Sequence, residues 1–114
     1  MNRISTHVLD IALGNPAKGV PVRLERMESS GAWLLLGSSE TDQDGRCAQL
    51  LPEDGRLFAG RYRLALDTAR YYAAAGVVGL YPVVEVTFEV RTGESNFHIP
   101  LLLSPNSYTT YRGS

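Results

Sequence analysis

Cysteine is nearly missing from this chain, histidine is scarce, and neither sign of charge is in excess. Cys47 stands alone among 114 residues, so no internal disulfide can staple the fold. Stability has to come from core packing, and a lone thiol suits a reducing compartment. Eleven basic residues oppose twelve acidic ones, for a net charge of −1. No basic surplus is left to neutralise a phosphate backbone, which argues against a nucleic-acid partner. No apolar run is long enough to span a bilayer, so no membrane partner is expected. The chain reaches Ile4-Ser5-Thr6-His7 without a charged head and an apolar stretch. No secretory signal is expected, and the cytoplasm is the expected location. Repeats, low-complexity tracts and linkers are missing too. Apolar residues at 44% against 20% charged exclude a disordered chain. The expectation is a single domain over residues 1–114, burying roughly two thirds of its unfolded surface.

The scarcity of ligand-type residues bounds the chemistry as well. The only histidines are His7 and His98, and with Cys47 they show no paired spacing. Zinc sites want three or four such ligands, so no metal is expected. Asp42-Gln43-Asp44-Gly45 opens like a calcium loop, but the remaining ligands are missing and it reads as a turn.

What is present is a series of short β-like runs separated by turn residues, the pattern of a sandwich or barrel. Residues 4–10 form a first strand, in which period 2 groups His7 with Ser5 and Leu9, opposite Ile4, Thr6 and Val8. A breaker-rich loop, Gly14-Asn15-Pro16-Ala17-Lys18-Gly19, follows. Val20, Val22 and Leu24 alternate with polar neighbours in a second strand, and residues 32–37 bring Trp33 and three leucines with little polar relief. The Asp-Gly turn makes Arg46 open the next short strand, with Cys47 pointing the other way as a small buried hydrophobe. Tyr62, Leu64 and Leu66 face inward, as do Val84, Val86, Phe88 and Val90. Between those runs, Asp67 to Gly76 starts on a capping residue, is rich in alanine and ends on glycine, predicting one short helix. The fold class expected is all-β, a two-sheet antiparallel sandwich of about eight strands with one helix.

The chemistry is expected at the end of the chain. Phe97, Ile99, Leu101 and Leu103 make a core face, whereas Asn96, His98, Pro100 and Leu102 make an outward face too apolar for solvent. A second subunit is its simplest cover. Pro100 lacks a ladder donor, so its nitrogen must face a bulge or an unpaired side. Taken singly, His7 and His98 are ordinary sheet residues; meeting across a groove, they could move a proton near neutral pH. Arg46 reads either as a solvated turn residue or as a planar fork for an anionic heterocycle. Ser5 or Ser114 as a nucleophile has no elbow motif behind it.

Four stretches give a resemblance. Phe97-His98-Ile99-Pro100-Leu101-Leu102-Leu103-Ser104-Pro105 and the ending Tyr108-Thr109-Thr110-Tyr111-Arg112-Gly113-Ser114 resemble the 5-hydroxyisourate hydrolases, the transthyretin-like enzymes of purine breakdown. Ile4-Ser5-Thr6-His7-Val8-Leu9-Asp10, and the turn from Thr41 through Asp44-Gly45-Arg46, resemble them too. The resemblance spans the whole chain and implies a transthyretin fold, with its helix between the fifth and sixth strands. It implies cofactor-free hydrolysis of the 5-hydroxyisourate lactam to 2-oxo-4-hydroxy-4-carboxy-5-ureidoimidazoline, in urate catabolism. His7, Arg46, His98 and Ser114 match positions with catalytic roles in that family. His7, Arg46, Tyr111, Arg112 and Gly113 match substrate-binding ones, and which histidine is the base stays open. It further implies a homotetramer, a dimer of dimers with sites between dimers. Many relatives carry a histidine where this chain has Asn96, which removes a third imidazole. Two other readings are a hormone-type carrier on the same fold, whose channel would want apolar walls, and an immunoglobulin-like adhesion module, which would not need a held C-terminus.

Overall fold

Alternating burial resolves into two facing sheets in the computed structural model, which describes residues 2–114. In chain order the elements are β1 (Arg3–Asp10), β2 (Asn15–Pro16), β3 (Pro21–Met27), β4 (Trp33–Glu40), β5 (Arg46–Cys47), β6 (Gly60–Leu66), α1 (Thr68–Ala74), β7 (Val84–Val90), β8 (Asn96–Ser104) and β9 (Ser107–Thr110). One sheet runs β2-β1-β8-β9, with β5 also on β1; the other runs β4-β3-β6-β7. The strand beyond the eight expected is β2, a two-residue pairing of Asn15 and Pro16 with the end of β1 inside the breaker-rich loop.

The apolar positions of each strand meet between the sheets. Ile4, Val8, Val22, Leu24, Leu64, Leu66, Leu101 and Leu103 are all almost fully buried. Full burial of such a side chain is worth about 1.5–3 kcal/mol relative to exposure, so these alternations fix which face turns inward. Tyr62 joins them and spends its hydroxyl on the Phe58 carbonyl at 2.8 Å. The helix forms where expected: the Asp67 carboxylate accepts from Arg70 N at 3.0 Å, and Gly76 leaves the helix at φ +71°. Tyr71 then ties α1 to the end of β1, donating to Asp10 at 2.7 Å.

Two features depart from the simple pattern. The β1–β8 pair is parallel, from Arg3 opposite Asn96 to Asp10 opposite Leu103, while every other named pair is antiparallel. No hairpin joins these strands; the chain between them crosses through the other sheet, which frees their relative direction. In β4, a bulge between Leu24 and Glu25 of its partner skips Leu36 in the register. Leu36 packs on the core, while Leu34 and Leu35 are 39% and 55% exposed on this edge strand.

Candidate active site

The outer face of the β1–β8 pair carries two rungs of functional residues. In one, Arg46 of β5 lies opposite His7 of β1, and His7 lies opposite Pro100 of β8. In the next, Ser5 lies opposite His98, and His98 is bridged to Gly113. Same-face neighbours one step along a strand lie diagonally within reach of long side chains. Two imidazoles and a guanidinium therefore meet on one patch. The Asp-Gly turn delivers Arg46: Asp42 accepts from Arg46 N at 2.9 Å, and Gly45 holds φ +77°. The turn is docked on β1 by Val8 N donating to the Gly45 carbonyl at 2.7 Å.

A cavity of about 220 Å³ opens here, lined among others by Arg3, Ser5, Arg46, Asn96, His98 and Ser114. Ser5 Oγ lies 2.8 Å from His98 Nδ1. The half-buried His98 ring has its proton affinity held below the ordinary histidine value, first by burial and then by the nearby Arg46 and His7. Cys47 also lines the cavity, but burial pushes its thiol pKa up, which keeps it unreactive.

Pro100 explains how the chain end reaches this place. The His98–Gly113 bridge keeps the register of Leu101–Thr110, which sets Pro100 opposite Tyr111, and the ladder is interrupted there. The Pro100 carbonyl accepts instead from Thr110 Oγ1 at 2.7 Å. The pairing resumes as Gly113 N donates to the His98 carbonyl at 2.7 Å. Ser114 is thereby placed at the cavity.

Of the residues singled out from the sequence, His98, Arg46 and Ser114 line one cavity, His7 stands between Arg46 and Pro100, and Gly113 packs on the His98 ring. Arg112 goes elsewhere. Its guanidinium lies 4.5 Å from the centroid of Phe97 and donates to Glu94 at 3.0 Å and to the Asn96 carbonyl at 3.2 Å. Tyr111, 56% exposed, borders the same separate groove, alongside Phe88 and Ile99. Arg3 lines the cavity without having been singled out from the sequence, and Ser5, weighed there only as a nucleophile and discounted, lines it as a partner of His98. Grouping Ser5 with His7 at period 2 was the available signal, but its partner lies 93 positions away.

A two-layer sandwich whose outer face gathers imidazole and guanidinium beside its own C-terminus defines a polar, transthyretin-type site. A family model described as HIUase/Transthyretin family matches residues 4–113. The chain belongs to the HIUase/Transthyretin family. It is 48% identical over 112 residues to the 5-hydroxyisourate hydrolase of Mus musculus, covering 97% of this chain and 94% of the mouse protein. The solved structure of Klebsiella pneumoniae 5-hydroxyisourate hydrolase aligns with a TM-score of 0.86 at 38% identity, over 100% of both chains. Sea bream transthyretin in complex with thyroxine aligns with a TM-score of 0.90 at 31% identity, over 97% of this chain and 94% of that one.

Proposed function

We propose that this chain is a cofactor-free hydrolase that opens the lactam ring of 5-hydroxyisourate, giving 2-oxo-4-hydroxy-4-carboxy-5-ureidoimidazoline in urate catabolism. The observation that carries the reading is the cavity itself, where a ring held toward its neutral form, a guanidinium and the chain end converge. His98 takes a proton from water, the water oxygen bonds to the lactam carbonyl carbon, and the C–N bond breaks. The proton held by His98 passes to the leaving nitrogen, and the new acid releases the other. Arg46 holds the anionic substrate and meets the charge growing on the carbonyl oxygen, with His7 beside it as a second donor. Ser114 steadies the imidazole and the substrate from the third side. Arg112 anchors the tail through Glu94, and Tyr111 stands beside it in the neighbouring groove.

The overlay on a thyroxine-binding transthyretin supports a carrier as the second reading. A cavity lined by Arg3, Arg46 and His98 is poorly suited to an apolar hormone and well suited to a small polar anion. Incubation with freshly generated 5-hydroxyisourate separates the two: accelerated ultraviolet decay is expected, and decay at the spontaneous rate would leave the carrier.

The working form we propose is a homotetramer, a dimer of dimers, in the cytoplasm. Ile11, Leu13 and Leu80 are 53%, 67% and 64% exposed, apolar side chains that a second copy of the chain would cover. The free, buried Cys47 thiol accords with a reducing location. Among the described residues, no helix is long and apolar enough to cross a membrane. Leu102→Glu puts a carboxylate on the His98 face and should split the assembly in sizing experiments. An intact, active tetramer would show that Leu102 faces solvent.

A further inference from the structure

The His98 imidazole is gripped on two sides, by Ser5 and by Gly113. On one side is Ser5 Oγ, 2.8 Å from Nδ1, on a residue only 7% exposed. On the other is Gly113, where an added Cβ would lie 2.6 Å from His98 Cδ2 and 3.2 Å from Pro100 Cγ. Gly113 has no left-handed backbone requirement, so steric room against the ring is what it provides. The same glycine holds the His98 backbone through its N–H at 2.7 Å. Ring and main chain are fixed together.

We infer that Ser5 and Gly113 are positioning residues that lock His98 in its Nδ1–H tautomer, Ser5 Oγ accepting, so that bare Nε2 faces the cavity. A hydroxyl can donate or accept, and the neighbours decide which. The ring shares its cavity with Arg46, Arg3 and the chain terminus at Ser114, and the groups that act on its charge are Arg46 and His7, both cationic in effect. A lone pair turned toward guanidinium groups is favourable, whereas an N–H turned toward their N–H groups is not. When Nε2 takes a proton from water, the ring becomes an imidazolium, and the Nδ1–H···Oγ bond strengthens as charge develops. Ser5 thus assists the transition state more than the resting enzyme. The kinetic part of this inference rests on the hydrolase reading; the tautomer part does not.

The test is histidine-selective ¹⁵N NMR, in which only His7 and His98 contribute and loss of a signal in His98→Asn assigns the pair. In the parent protein His98 should show a protonated Nδ1 and a bare Nε2; the opposite pattern overturns the inference. Ser5→Ala removes an acceptor that favours the imidazolium, so the His98 titration should move further down. An upward move would mean that Ser5 donates, and overturns it. With substrate, Ser5→Ala should lower kcat about tenfold with KM nearly unchanged. Ser5→Thr, which keeps the hydroxyl, should recover most of the loss. A fall in Ser5→Ala as deep as that of His98→Asn would make Ser5 a nucleophile rather than a positioning residue. Gly113→Ala should displace the ring and mix the tautomers, and an unchanged His98 spectrum would remove Gly113 from the device. If no variant or parent protein turns over substrate, the hydrolase reading falls while the spectra still decide the tautomer.

Discussion

The outer faces of the two sheets treat charge in opposite ways. On the β4-β3-β6-β7 sheet, Arg63 bonds Glu25 at 2.9 Å, reaches Glu85 at 3.4 Å and lies 4.3 Å from the Trp33 ring centroid. Arg61 meets Glu89 at 3.5 Å beside it. On the opposite sheet Arg3 and Arg46 share a cavity with His98, and among the described residues neither makes an ion pair. The first face satisfies its charges internally and so stiffens a surface. The second leaves cations uncompensated, which costs stability and creates affinity for an anion.

The harshest way to separate the two faces is His98→Asn. It should cut turnover by about two to four orders of magnitude, because the proton acceptor is gone. The urea midpoint should hardly move. Near-normal rates in a folded variant would erase the functional contrast.

Arg46 sharpens the contrast further. Arg46→Lys keeps the charge and loses the planar fork, so kcat/KM should fall about ten- to a hundredfold. Its acid limb in the pH–rate profile should stay in place. Arg46→Gln also removes the charge that helps depress the proton affinity of His98. In the proposed mechanism the neutral ring is the active form, full above the ordinary histidine pKa and lost as pH falls through its lowered value. Arg46→Gln should therefore move the acid limb upward, part of the way back toward the ordinary histidine value, since burial still holds it down. An unmoved limb would mean that Arg46 does not act on that ring.

The paired face should answer in stability alone. Arg63→Met strands a largely buried Glu25 and loses the Trp33 contact, which should cost about 2 kcal/mol in urea denaturation. Activity per folded molecule should be unchanged. The smallest effect belongs to Arg61→Ala. Its pair with Glu89 is about half exposed on both sides, and the loss should stay under about 0.5 kcal/mol.

Much of this contrast was legible in the residues themselves. Alternation alone separates Phe97, Ile99, Leu101 and Leu103 from His98 and Leu102, because one slip in register would bury an imidazole. The Asp-Gly turn likewise puts Arg46 at a strand start, and the gap predicted at Pro100 is where the β8–β9 ladder breaks. The parallel β1–β8 pair left no mark, because strand direction depends on the path of the intervening chain. The β4 bulge was equally silent: Leu34, Leu35 and Leu36 are chemically alike, yet only Leu36 reaches the core. Arg112 was grouped with the site through the terminal resemblance, but its direction depends on which residue of the tail faces Ile99. The Ser5–His98 contact needed the register of two strands that nothing local aligns.

That long-range register makes catalytic competence a late and indivisible product of folding. Ser5 and His98 are separated by 93 positions, and most of the intervening chain builds the opposite sheet. Pairings of this span form slowly compared with local hairpins. During synthesis, β3 and β4 can zip together long before β8 has left the ribosome, while β1 waits for the neighbour that will set His98 against Ser5. A truncated or slipped molecule is then inert rather than weakly active. Competence arrives with the last strands.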